Sequence, residues 1–210
     1  MTQFRDVLLL IIFAVVPAIV LHELAHGWTA WRLGDPTAKD RGRLTLNPIK
    51  HMDLWGSIII PGGLFLVHLL GFTKSLMLFG WAKPVPVDWR RLKNPRRDMM
   101  LVAAAGPLTN IILAWLMIKL YVWPPLSGFS YICGWAILLN LTLAVFNMMP
   151  IPPLDGSRIV SGVLPRRAAY YYNQLEPFGL LIVVVLIQLG MLRSLYPLIS
   201  YLGYLLGIEI

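Results

Sequence analysis

The apolar residues of this chain come in long runs rather than in the short alternations of a soluble fold. A helix needs about 20 mostly apolar residues to cross the hydrocarbon core of a bilayer. The first run of that kind extends from Val7 to Trp31, and His22, Glu23 and His26 sit in its second half. Arg5, the apolar stretch after it and the small residues around Ala18 have the outline of a signal peptide. The helical pattern continues through Leu21, Leu24 and Trp28, past any such cleavage point, so the segment is predicted to remain as a membrane helix. A second run, Met99 to Trp123, opens on the small patch Ala103-Ala104-Ala105-Gly106. A third, Tyr131 to Met149, is closed by Pro150, Pro152 and Pro153. Two shorter runs, Phe178–Leu192 and Leu195–Ile208, are separated by Arg193 and suit tilted spans or an apolar hairpin. The pattern predicts an all-α polytopic membrane protein with about five transmembrane helices. It is read as a single domain over residues 1–210, with its core at about 7–167 and the apolar hairpin at about 178–208.

The stretch Leu54–Leu70 is interrupted by Pro61, Gly62 and Gly63, and the charges decide between two paths for it. Loops on the cytoplasmic face carry an excess of Lys and Arg. If 54–70 crosses, and the two tail runs cross as well, 11 basic residues fall on one side and 7 on the other. If it enters and leaves by the same face, the split is 15 against 3, with only Arg5, Lys119 and Arg193 opposite. The more asymmetric partition favours a re-entrant apolar hairpin, an outside N-terminus and a cytoplasmic connection after the first helix. In that connection, residues 34–48, Leu44 and Leu46 alternate with polar neighbours among Gly, Pro and Asp. This predicts a short β-hairpin at the membrane surface. Trp81 to Asp88, with Pro84 and Pro86, predicts an extended loop.

Composition closes off other classes. Of the 210 residues, 58% are hydrophobic and 13% charged, with a mean hydropathy of +0.69. A soluble domain carries about 45–50% apolar and about 25% charged residues, and one of this length could not bury the excess. Disorder is excluded by the same figures. The net charge of +8 reads as an orientation signal rather than a nucleic-acid surface. The lone Cys133 excludes an internal disulfide and a Cys-rich metal site, and is predicted to pack as a small hydrophobe.

His22-Glu23-Leu24-Ala25-His26 is H-E-x-x-H within a helix. Residues four apart share one face, so both imidazoles can reach one metal ion with Glu23 beside it. Ionisable groups inside a membrane are costly and normally functional, which weighs against a helix that carries them for no reason. Two histidines leave zinc one protein ligand short. The remaining intramembrane carboxylate is Asp155, in Asn147-Met148-Met149-Pro150-Ile151-Pro152-Pro153-Leu154-Asp155-Gly156. Irregular backbone at membrane depth lines a cavity or is buried in protein, which would aim Asp155 inward. Asp155 is equally suited to cap a helix from Gly156 to Val163. Spacing alone does not choose between the two.

The segments H-E-L-A-H at 22–26, A-A-G-P-L-T-N at 104–110 and N-M-M-P-I-P-P-L-D-G at 147–156 together resemble the site-2 protease family of intramembrane zinc metalloproteases. L-N-P-I-K-H-M-D at 46–53 and G-W-A-K-P-V-P-V at 80–87 are similar to its compact bacterial and archaeal members. The resemblance implies that His22, His26 and Asp155 bind one Zn2+, that Glu23 is the general base and that Asn147 holds the substrate or the oxyanion. It also implies a multi-pass protein of the cell membrane with transmembrane proteins as substrates, while the composition already speaks against nucleic acid as a partner. The helix order of the family favours the re-entrant path. Ser157 stands where many members have a second glycine, and the length leaves no room for a PDZ or CBS domain.

Other polar residues carry weaker expectations. Asn110 is expected to bridge helices by hydrogen bonds, and Asn147 to be an amide donor to developing charge. His51 and Asp53 are expected to make loop hydrogen bonds rather than a second metal pair, and His68 to be satisfied or interfacial. Gly106 and its alanines allow close helix contact, while Tyr170–Tyr172 and the tryptophans read as interfacial anchors. An edge strand at 34–48 would hold an unwound substrate in extended form. The rival functions are a metal or proton transporter with His22, Glu23, His26 and Asp155 as a relay, and an inactive zinc-binding scaffold.

Overall fold

Each long apolar run folds as a helix. The computed structural model describes residues 2–72, 80–123 and 129–209. α1 (Thr2–Leu10) passes through an i→i+5 turn at Ile11–Val15 into α2 (Val16–Arg32). The 28 residues from Arg5 to Arg32 thus form one apolar rod, about 42 Å long at about 1.5 Å per residue. A short connection containing α3 (Thr37–Asp40) leads to a helix over 54–69, whose second part is α4 (Ile60–Leu69). α5 (Pro95–Tyr121) starts with a proline, which needs no N–H partner there. α5 runs antiparallel to α2, so that Asn110 meets Ala18 and Val102 meets His26.

α6 (Ser130–Asn147) returns along α5. Ala114 and Ile118 of α5 and Ile137, Leu141 and Val145 of α6 make the main apolar core, closed by Ile199. The chain then breaks at the prolines and continues as α7 (Asp155–Val163), α8 (Arg166–Asn173), α9 (Gly179–Gln188) and α10 (Met191–Leu206). Phe13, Leu108 and Trp135 point half-exposed out of the bundle. Such side chains face lipid without the cost they would carry in water.

Among the described residues, four helical segments are long and apolar enough to cross a membrane: Arg5–Arg32, Pro95–Tyr121, Ser130–Asn147 and Arg166–Gln188. The protein is therefore an all-helical membrane protein, and the expected count of about five is not met. The tail accounts for the difference. Gly190, in the left-handed region at φ +87°, ends the helical path after Gln188. The last apolar run falls within α10, 16 residues long, whose Leu195, Ile199, Leu202 and Leu206 pack on the core.

No strand occurs among the described residues, and the expected β-hairpin at 34–48 is absent. Asp35 explains why. Its buried carboxylate accepts from the Thr37 N–H (2.9 Å) and the Thr37 hydroxyl (2.5 Å), which coils the chain into α3. Side chain-to-backbone bonds of this kind compete with a strand ladder. Hydrogen bonds join the chain at the start of the 54–70 run to the segment that follows it. The Trp81 N–H donates to the Gly56 carbonyl (3.1 Å) and the Lys83 N–H to the His51 carbonyl (2.9 Å), so the chain returns to the level at which it left. Residues 73–79 lie outside the described residues.

Candidate metal centre

His22 and His26 lie one turn apart on the face of α2 that meets α5, and both are buried. Space for them comes from Gly106. A Cβ there would stand 2.6 Å from His22 Nε2 and Cε1, and nearer still to His26 Nε2. The small patch was expected to bring helices together; it also makes room for two imidazole tips.

A chain of hydrogen bonds sets the state of each ring. Asn140 Nδ2 donates to the Ala136 carbonyl (2.8 Å), so its Oδ1 is the acceptor for Asn110 Nδ2 (2.8 Å). Asn110 Nδ2 also donates to the Ala18 carbonyl (3.2 Å), which leaves Asn110 Oδ1 to face His22 Nδ1 at 2.6 Å. An amide oxygen only accepts, so the His22 proton is on Nδ1 and the Nε2 lone pair is free to bind. His26 Nδ1 in the same way donates to the Val102 carbonyl (2.7 Å). Both Nε2 atoms then point at one place, 3.0 Å apart.

Asp155 completes the set. It is the first residue of α7 and makes no capping bond. Its Oδ2 lies 3.2 Å from His22 Nε2 and 3.3 Å from His26 Nε2, buried and without a hydrogen-bond partner. The turn Met149–Leu154 aims it inward, held by Ile151 N–H to Met149 carbonyl (2.8 Å) and Leu154 N–H to Ile151 carbonyl (2.8 Å). Gly156 is obligatory beside it, because a Cβ would run into the Met148 carbonyl. The ligating atoms of His22, His26 and Asp155 all lie within 4.8 Å of one another. Two imidazole lone pairs and an orphaned carboxylate oxygen converging on one point would repel without a cation. As a donor set they fit a divalent metal with a position left open for water or substrate.

Glu23, next to His22 in α2, is held by the extended segment at 81–88. Its Oε2 accepts from the Val85 N–H at 2.8 Å. The segment is strapped down on both sides. Arg43 Nη2 donates to the Lys83 carbonyl (2.7 Å), and Asp35 Oδ2 accepts from the Asp88 N–H (2.6 Å). Val85 itself is buried. The expected extended loop is present, and it positions Glu23.

Asn147 is the last residue of α6, and its Nδ2 donates to the Leu143 carbonyl (3.0 Å). Among the described residues it makes no hydrogen bond to the His22, His26 and Asp155 cluster. His51 Nε2 lies 2.8 Å from the Thr45 carbonyl, and Asp53 accepts from the N–H groups of Trp55 and Gly56, so both serve their loop. Asn140, Val85, Arg43 and Asp35 were not anticipated. Only Asn140 left a signal, as an amide inside an apolar span seven residues before Asn147.

Buried imidazoles locked to one tautomer, a carboxylate aimed at them and membrane-length helices around them are a donor cluster that could hold a metal ion in a membrane protein. The sequence model of peptidase family M50 matches residues 10–125 and 125–190. "Putative zinc metalloprotease YwhC" of Bacillus subtilis is 38% identical over 187 residues, covering 84% of this chain and 78% of its own length. "Putative zinc metalloprotease Rip2" of Mycolicibacterium smegmatis is 33% identical over 189 residues, 88% of this chain and 69% of its own. "Zinc metalloprotease MJ0392" of Methanocaldococcus jannaschii is 25% identical over 169 residues, 80% of this chain and 37% of its own. No solved structure matches the chain. The chain belongs to peptidase family M50, and it is a zinc metallopeptidase.

Proposed function

We propose that this peptidase cuts other proteins in or near their membrane-spanning segments. The observation that carries this reading is depth: the cluster of His22, His26 and Asp155 is buried between α2 and α5, both parts of apolar segments long enough to cross a bilayer. His26 faces Val102, seven residues into α5, which is about 10 Å from the helix start at about 1.5 Å per residue. A substrate reaching that level must be lipid-embedded or drawn in from its edge.

In this reading His22 Nε2, His26 Nε2 and Asp155 Oδ2 hold one Zn2+. Zinc supplies Lewis-acid polarisation and lowers the pKa of a coordinated water to about 7. Glu23 receives the proton of the attacking water and passes it to the leaving amine. Val85 holds one oxygen of Glu23, leaving the other to carry the proton. Asn147 spends one amide hydrogen on Leu143 and has a second for the substrate carbonyl. The edge strand that would have held substrate at 34–48 is no part of this mechanism. The split of basic residues, 15 against 3, supports a multi-pass protein of the cell membrane with the zinc site toward the cytoplasmic side.

The test compares wild type with Glu23→Gln for bound zinc and for cleavage of a co-expressed single-span protein. Loss of a general base is expected to lower cleavage about 10²–10⁴-fold, with zinc content unchanged. Undiminished cleavage in the variant contradicts the assignment. Metal flux into vesicles without cleavage would favour a transporter.

A further inference from the structure

A second site lies away from the metal cluster, where the start of α5 meets α7 and α8. A cavity of about 540 Å³ opens there, lined by Arg96, Arg158 and Arg166, by the aromatic rings of Trp89 and Tyr170, and by Ser161. Among the described residues no carboxylate lines it. We infer that it binds the phosphate-bearing headgroup of an anionic phospholipid.

The arginines do different work. Arg96 donates through Nε to the Gly162 carbonyl (2.8 Å) and through Nη2 to the Leu164 carbonyl. These acceptors are neutral, so they fix the guanidinium in the cavity wall without cancelling its charge. Arg158 is paired with Glu176, the one acid in an ion pair with the trio among the described residues. Arg166 makes no ion pair or hydrogen bond among the described residues and is exposed. Three guanidinium groups against one carboxylate leave an excess of positive charge. Arginine presents a planar fork suited to two oxygens of a phosphate.

Position selects the lipid over a soluble phosphate. Two membrane-length segments, Pro95–Tyr121 and Arg166–Gln188, both begin at this cavity. Arg96 stands three residues before the apolar run that opens at Met99, the level of lipid headgroups, and Arg166 lines the same cavity. Trp89 is 56% exposed and Tyr170 64%, as ring side chains at a membrane interface are. Basic pockets between membrane helices at this level take anionic headgroups. The volume falls within the roughly 300–1,000 Å³ of small-ligand sites. The inference stands apart from the peptidase reading, since it uses none of the residues placed at the metal.

The test uses the full chain purified in detergent and exposed to equal mole fractions of phosphatidylglycerol and phosphatidylcholine with the same acyl chains. Bound lipid is counted by native mass spectrometry. Wild type is expected to retain phosphatidylglycerol about ten-fold over phosphatidylcholine. Arg166→Gln is expected to lower that retention about five-fold, the share of one arginine near the surface. Arg193→Gln, beyond the far end of the Arg166–Gln188 segment, is expected to leave it unchanged. Unaltered zinc content shows that each variant is folded. Equal retention of both lipids, or an Arg166→Gln variant that retains as much as wild type, overturns the proposal. Glycerol 3-phosphate binding as tightly as the lipid also overturns it, in favour of a soluble phosphate ligand.

Discussion

Gly106→Ala adds one carbon at the point where the two imidazoles meet. The new Cβ would stand 2.6 Å from His22 Nε2, whereas an ordinary contact is about 3.5–4.0 Å. A ring or the α5 backbone must shift by about 1 Å, and ligand distances at a metal hold within about 0.2 Å. Loss of orienting partners costs about 10–100-fold in metal affinity, and direct displacement should reach the upper end. A hundred-fold loss removes about 2.7 kcal/mol of zinc-dependent stabilisation. Alanine is the better helix former by about 1 kcal/mol, so the metal-free variant is expected to stay folded. The assay is chelator competition for zinc, with thermal unfolding of loaded and stripped protein. Gly134→Ala is the control, because a Cβ there meets only Tyr121 at 4.0 Å. If Gly106→Ala binds zinc as tightly as the Gly134→Ala control, the place assigned to the imidazole tips is wrong.

Other variants test the supporting shell. Asn110→Ala frees the His22 tautomer and strands the Asn140 amide; zinc affinity should fall about 10–100-fold, read by chelator competition. Arg43→Gln loosens the strap that carries Val85, so kcat should fall with zinc content and KM unchanged; a rise in KM alone would mean that the strap contacts substrate rather than Glu23. Leu141→Ala, fully buried in the core, should cost about 2–5 kcal/mol of stability in denaturant unfolding while sparing zinc affinity.

Much of the centre was legible in the sequence because membrane burial raises the cost of charge. His22, Glu23 and His26 stood out in an apolar run, and helical spacing put the histidines on one face. Asp155 was ambiguous because an aspartate at a helix start is also a good cap. The Met149–Leu154 turn, whose hydrogen bonds no spacing rule encodes, brings the Asp155 carboxylate to the two imidazoles. Asn140 orients Asn110 from 30 residues away in sequence, a pairing that only helix packing reveals. The 34–48 segment was misread because Asp35 captures Thr37 and overrides the alternation of Leu44 and Leu46. The tail stayed open between two spans and an apolar hairpin because its two runs are each too short to decide; Gly190, at φ +87°, separates α9 from α10, whose Ile199 packs into the core.

Whether the scissile bond lies at membrane depth is the question on which the account turns. Zinc-loaded protein and a single-span substrate are reconstituted together in vesicles, and the new termini are mapped by mass spectrometry. The account predicts termini inside the apolar stretch or within a turn or two of its edge, and none with Glu23→Gln. Termini confined to water-exposed regions, or equal cleavage of a soluble protein added outside, would contradict it.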